Sequence, residues 1–216
     1  MLSTLVTVQT GEAALAGDLT VPDQASAVIL FAHGSGSSRH SPRNQAVAAT
    51  LRTAGLGTLL IDLLTPEEEA EDVATGRHRF DIDLLTRRLT GSADWLAART
   101  EHLPIGLFGA STGAAAALAT AAERPQDVRA VVCRGGRPDL APDQVLARVR
   151  APVLLLVGGR DEVVLQLNRD AASRLQAPHE LRVIPHATHL FEEPGALDEV
   201  AAAAARWFTS SVHPRR

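Results

Sequence analysis

The chain has 216 residues and a formal net charge of −4, with 45% hydrophobic and 21% charged residues, 3% aromatics and no tyrosine. This is the composition of a soluble globular chain, read as one domain over residues 1–216. It argues against a clustered basic face for nucleic acid and against stacking on aromatics as a binding strategy. Cys133 is the only cysteine, so no intrachain disulfide forms. No apolar run reaches the ~20 residues needed to cross a bilayer. The opening MLSTLVTVQTGEAALAG lacks the basic start and apolar core of a signal peptide. A cytoplasmic protein without membrane or nucleic-acid partners is expected.

TLVTVQT and AALAGDLTVP alternate around Gly11 and predict a hairpin. AVILFAHG, Ala27 to Gly34, is a continuous apolar run ending in glycine, the pattern of a strand buried on both faces. RNQAVAATLRTAG carries helical spacing and closes on Gly55, and LGTLLIDLL predicts the next strand. PEEEAED, Pro66 to Asp72, reads as a solvated loop or a helix start. RFDIDLLTRRLTGSADWLAAR predicts a long amphipathic helix interrupted near Gly91.

Strands and helices then alternate. PIGLFGAS precedes TGAAAALATAAE, VRAVVCRGG precedes APDQVLARV, APVLLLVGGRD precedes VVLQLNRDAASRLQ, and HELRVIP precedes GALDEVAAAAARWFTSS. Such alternation predicts an α/β fold, a mostly parallel sheet with helices on both faces and the hairpin as antiparallel edge strands. The closing HPRR reads as a frayed tail.

Gly109-x-Ser111-x-Gly113 lies where the strand PIGLF meets the alanine-rich helix. Composition alone would yield roughly 0.06 such matches, so the context counts. A serine between strand and helix adopts a strained backbone, and side chains at the two glycines would collide with the adjoining strand and helix. The helix N-terminus also aims backbone N–H groups at the place where negative charge would develop.

A serine hydroxyl is a poor nucleophile at neutral pH without a base, and the base needs an orienting acid. In this arrangement the chain order is Ser, acid, His. Asp161 follows two glycines at the end of PVLLLVGG, and the loop HATHLFEEPG holds His186 and His189. His189 is preferred as the base, because Leu190 and Phe191 can anchor its loop and more chain is left to reach back over the serine. His186 reads as a loop histidine. Asp139, in RGGRPDL, is the competing acid, and Asp62 reads as a loop cap.

An oxyanion hole needs two donors about 3 Å from the developing charge. The Thr112 N–H is the first. HGSGSS supplies the second, with Ser35 N–H preferred over the neighbouring Gly34 and Gly36. His33 reads as a loop-holding residue. Arg39 and Arg43, beside that loop, are candidates for holding a carboxylate or phosphate of the substrate. Arg134 and Arg137 carry the same ambiguity, and Cys133 reads as inert packing. The histidines lack the paired spacing of a zinc site, so neither metal nor cofactor is expected.

These stretches together resemble the α/β-hydrolase superfamily, and within it the small, capless branch typified by dienelactone hydrolase. HGSGSS, FGASTG, VGGRDEVV and ATHLFEEPG fall in the family's order and span nearly the whole chain. The resemblance implies an eight-stranded sheet without a large cap and a triad of Ser111, Asp161 and His189. Dienelactone hydrolase itself uses a cysteine nucleophile, and the serine here favours a general serine esterase acting on small or short-acyl esters. Three rivals remain. One is a dinucleotide-binding oxidoreductase, from Gly34-x-Gly36 and Asp62, though Arg39 stands where the third glycine belongs. Another is a hydrolase-fold binding module without activity. The third is acyl transfer by the same triad to an acceptor other than water.

Overall fold

The structure is a computed structural model that describes residues 3–100 and 103–212; the tail HPRR lies outside them. Alternating patterns form β1 (Thr4–Thr10) and β2 (Ala13–Thr20), antiparallel around Gly11 at φ +61. The apolar runs form β3 (Val28–Ala32), β4 (Gly57–Ile61), β5 (Ile105–Ala110) and β7 (Val153–Gly158), each buried at every position. Strands covered by helices on both faces require that continuity. β6 (Val128–Arg134) and β8 (His179–Ile184) complete one sheet in the order β1-β2-β4-β3-β5-β6-β7-β8. β2 pairs antiparallel with both neighbours, and the remaining pairs are parallel.

The helices are α1 (Pro42–Thr53), α2 (Pro66–Thr75), α3 (Ile82–Arg99), α4 (Gly113–Glu123), α5 (Asp143–Leu146), α6 (Glu162–Ala172) and α7 (Ala196–Ser211). Successive strand residues point to opposite faces, which divides the core in two. Leu30, Leu107, Val131 and Leu155 pack with Leu85 and Leu89 of α3 and Leu118 of α4. Ile29, Phe31, Phe108 and Leu154 pack with Leu51 of α1 and Phe208 of α7. This is the α/β-hydrolase architecture.

One local expectation needs correction. α3 runs unbroken through Gly91, where a Cβ would lie 3.0 Å from Thr10 Cβ; this glycine lets the helix lie against the end of β1. PEEEAED is helical. Thr65 and Glu68 form a reciprocal cap, and three acidic residues occupy the first turn, where the helix dipole favours them. APDQVLARV contributes only the single turn of α5, so the segment between β6 and β7 builds no cap.

From β3 the chain turns to β4 on one side and later to β5 on the other. In open α/β sheets the crevice at such a switch, beyond the carboxyl ends of the strands, is where ligands bind. β3 runs out into Gly34 and Ser35, and β5 into Ser111.

Candidate active site

Ser111 sits at φ +50, in the left-handed region that costs a non-glycine residue about 1–2 kcal/mol. Three backbone bonds hold it there. Its N–H donates to Arg134 O at 3.2 Å, and its carbonyl accepts from Arg137 N at 2.9 Å and Ala114 N at 3.1 Å. The flanking glycines are sterically required. A Cβ on Gly109 would lie 2.6 Å from Ala114 Cα, and one on Gly113 would lie 2.3 Å from Ala32 O. Gly34 faces the serine, since its own Cβ would fall 3.0 Å from Ser111 Cβ. Among the described residues, Ser111 Oγ has no hydrogen-bond partner; in unliganded sites such bonds are often long and tighten with substrate.

β7 ends at Gly158, and Asp161 follows as the N-cap of α6. An aspartate there would ordinarily accept from an amide of its own helix. Asp161 makes no such bond, and its Oδ2 instead meets His189 Nδ1 at 2.6 Å. A carboxylate only accepts, so Nδ1 carries the proton, and in the neutral ring Nε2 is the acceptor. Asp161 is largely buried, with a side chain 15% exposed, whereas His189 is 38% exposed.

The loop after β8 is fixed by Phe191, which is 2% exposed, and by Glu193, which accepts from Thr188 N at 3.0 Å. Leu190, expected to help anchor it, is 40% exposed and does not. His186 points to solvent at φ +62. His189 lies over Gly135, where a Cβ would be 3.5 Å from His189 Cε1. The residue before Gly135 is Arg134, which holds Ser111, so serine and histidine share one edge of the sheet. Asp139 is turned elsewhere and accepts two bonds from Arg137, each 2.8 Å.

The Ser35 and Thr112 amides donate to no acceptor among the described residues. Ser35 and Thr112 line a cavity of about 10 Å³ together with Gly34, Gly36, Glu69 and Arg79, and Ser111 and His189 do not line it. The cavity has room for about one water molecule. His33 ties the loop down. Its Nε2 accepts from Leu63 N at 3.0 Å, so its Nδ1–H is the donor to Gly34 O at 2.9 Å.

Burial pushes the His33 pKa below its ordinary value of 6.5, against the opposing influence of Gly34 O, Asp62 and Glu69. The folded protein therefore keeps His33 neutral where the unfolded chain gains a proton. Its contribution to stability is whole above about pH 6.5 and is lost as pH falls below that toward the lower folded value. Urea unfolding is expected to show a lower midpoint near pH 5.5 than near pH 7.5, a window above the carboxylate range. Equal midpoints would contradict this.

Arg39 is committed to carboxylates: it bonds Asp62 through its amide at 2.7 Å and through its guanidinium, with Asp18 at 3.5 Å. It is not a free anion anchor, and Asp62 is the loop cap expected. Among the described residues Arg43 pairs with an exposed Glu192, at 3.4 Å. Both arginines border a cleft of about 700 Å³ with Ser37, Ser38 and Glu69; Ser111 and His189 do not line it. Arg134 is 8% exposed, and its Nε and Nη1 are unpartnered among the described residues. Burial, with neighbouring Arg43, pushes its pKa down to about 10. Burial pushes the Cys133 thiol up to about 12, so it stays protonated and unreactive at neutral pH. Among the described residues, no three His, Cys, Asp or Glu side chains group to hold a metal, and no helix is long and apolar enough to cross a membrane.

The sequence reading missed Arg79 and Asp72. Asp72 is 1% exposed and accepts from Arg79 Nε at 2.6 Å, Arg79 N at 3.0 Å and His78 N at 2.6 Å. The available signal was an acidic residue near the end of α2 and a basic one just past Gly76, which closes that helix at φ +64.

A model of the dienelactone hydrolase family matches residues 13–213. A crystal structure of dienelactone hydrolase from Anabaena variabilis is 55% identical, with a TM-score of 0.96, covering 98% of this chain and 99% of that one. Est1E from Butyrivibrio proteoclasticus is 15% identical with a TM-score of 0.80, over 96% of this chain and 98% of its own, a likeness of fold. A Mycobacterium tuberculosis chain provisionally named a phosphoribosyl transferase is 55% identical over 205 residues. That match covers 94% of this chain and 45% of the relative, so the chain spans under half the length of the curated relatives it matches.

Proposed function

The chain belongs to the dienelactone hydrolase family, and from that premise we propose that residues 1–216 act as one serine hydrolase domain that cleaves small carboxylic esters through an acyl-serine intermediate. Ser111 Oγ attacks the ester carbonyl carbon while His189 Nε2 takes its proton. The tetrahedral intermediate collapses, the C–O bond to the alcohol breaks, and His189 returns the proton to the departing oxygen. Water, activated by the same histidine, then releases the acid and restores the serine. Asp161 fixes the imidazole tautomer and stabilises its charged form, and the Ser35 and Thr112 amides receive the oxyanion.

The observation that carries this reading is the 2.6 Å bond between His189 and Asp161 beside the left-handed turn at Ser111. The missing cap between β6 and β7 supports short acyl chains and a site open at the sheet edge. The triad chemistry needs no cofactor. The relatives' provisional name stands on chains more than twice the length of this one. The candidate site makes and breaks acyl bonds, and we propose no phosphoribosyl transfer for it.

The acid is the most contestable member, and a paired substitution tests it. Asp161→Asn is expected to lower kcat on p-nitrophenyl acetate by about 10⁴-fold, because the wrong tautomer is then held toward the serine. Asp139→Asn, which disturbs only the Arg137 pair, is expected to stay within about threefold of wild type, as surface substitutions usually do. The reverse pattern would transfer the role to Asp139.

A further inference from the structure

Arg79 reaches the site from outside the strand ends, on the segment joining α2 to α3. Its Nε donates to Asp72 Oδ2 at 2.6 Å and its Nη2 to Asp72 O at 2.7 Å. Asp72 is itself anchored by the His78 and Arg79 amides, so the guanidinium is held from behind by a buried carboxylate. Nη1 is the remaining donor. It has no hydrogen-bond partner among the described residues and lies 3.7 Å from where a Cβ on Gly36 would sit. Gly36, at φ +64, turns the loop that carries Ser35.

Arg79 also lines the cavity of about 10 Å³ onto which Ser35 and Thr112 open. The charges around that cavity make its presence consequential. Glu69 shares the wall, and Asp72 stands behind Arg79. Without the guanidinium, the charge left on the cavity wall would be the Glu69 carboxylate with Asp72 behind it, and their field would oppose negative charge developing on a substrate oxygen. In a small cavity partly shielded from water such a field is screened less than in open solvent.

Resting on the hydrolase reading above, we propose that Arg79 is a positioning residue of the oxyanion hole: held by Asp72, it braces the Gly34–Ser37 turn at Gly36 and cancels the carboxylate field behind the Ser35 and Thr112 amides. It acts through the loop and the field rather than by gripping the ester. Its loss therefore weakens the transition state and leaves ground-state binding nearly unchanged.

The test compares wild type, Arg79→Lys and Arg79→Gln in three measurements: p-nitrophenyl acetate kinetics, the second-order rate of fluorophosphonate labelling, and circular dichroism to count folded protein. Removing a direct oxyanion donor costs about 10²–10³-fold, so a supporting residue is expected to cost Arg79→Gln about 10- to 100-fold in kcat, with KM within about twofold. Labelling should slow by a similar factor, since the phosphonyl oxygen occupies the same hole. Arg79→Lys keeps the charge without the two-point hold and should fall about 3- to 10-fold. It carries the comparison if the glutamine variant does not fold. Wild-type kcat and labelling per folded molecule in the variants would overturn the proposal, as would a rise in KM with kcat unchanged. A wild type that neither labels nor hydrolyses the ester would overturn the hydrolase reading and this proposal with it.

Discussion

Ser111→Ala is expected to lower ester hydrolysis by about 10³- to 10⁶-fold, the range left when a triad nucleophile is removed and only binding and the oxyanion hole remain. The fold should survive nearly unchanged. Alanine keeps the Cβ that packs beside Gly34 and meets the same backbone cost at φ +50. The hydroxyl it removes bonds to no other described residue, so no buried partner is orphaned. The measurement is kcat/KM on p-nitrophenyl acetate beside a thermal melt of the same preparation. Activity within tenfold of wild type, with an unchanged melt, would mean that another group attacks the ester.

Gly158→Ala should damage stability and chemistry together. An alanine Cβ there would lie 2.4 Å from Ala187 O and 2.6 Å from Thr188 O, distances no carbon tolerates against backbone oxygen. β7 is held between β6 and β8 and cannot retreat. The loop that carries His189 must move instead, and it carries the histidine away from Asp161. Overpacking of this kind costs about 1–3 kcal/mol, which for a chain of this size lowers Tm by roughly 2–12 °C. A misplacement of about 1 Å in a catalytic group costs on the order of 10²-fold in rate. The loss in kcat should therefore exceed the unfolded fraction at the assay temperature. A variant with wild-type Tm and kcat would show that the loop yields without disturbing the pair.

The fold was legible because burial on both faces demands uninterrupted apolar strands, and β3, β4, β5 and β7 are written that way. Ser111 was legible because the turn excludes side chains at Gly109 and Gly113, leaving a mark in sequence. Asp161 followed from its place just past a strand end. The choice between His186 and His189 could not come from spacing alone. It depends on Phe191 seated in the core and on Glu193 holding Thr188, a loop in which the His189 ring meets Asp161 and the His186 ring is left in water. Charge partners were the least legible. Arg39 looked free to meet a substrate because Asp62 is 23 positions away and Asp18 lies on β2. Arg79 drew no notice because its closeness to Gly36, 43 positions away, exists only in the folded chain. Gly91 was misread for a related reason: a glycine that breaks a helix and one that lets a helix approach a strand look alike until the neighbour, here Thr10, is known.

The central claim is an activated serine at position 111, and fluorophosphonate labelling with mass-spectrometric mapping addresses it most directly. Fluorophosphonates react with serines that have both a general base and a place for the phosphonyl oxygen. We expect one modified peptide, carrying the adduct on Ser111, in wild type, and its loss in folded His189→Ala. Absence of labelling in folded wild type, or an adduct on Ser111 that persists without His189, would contradict the account.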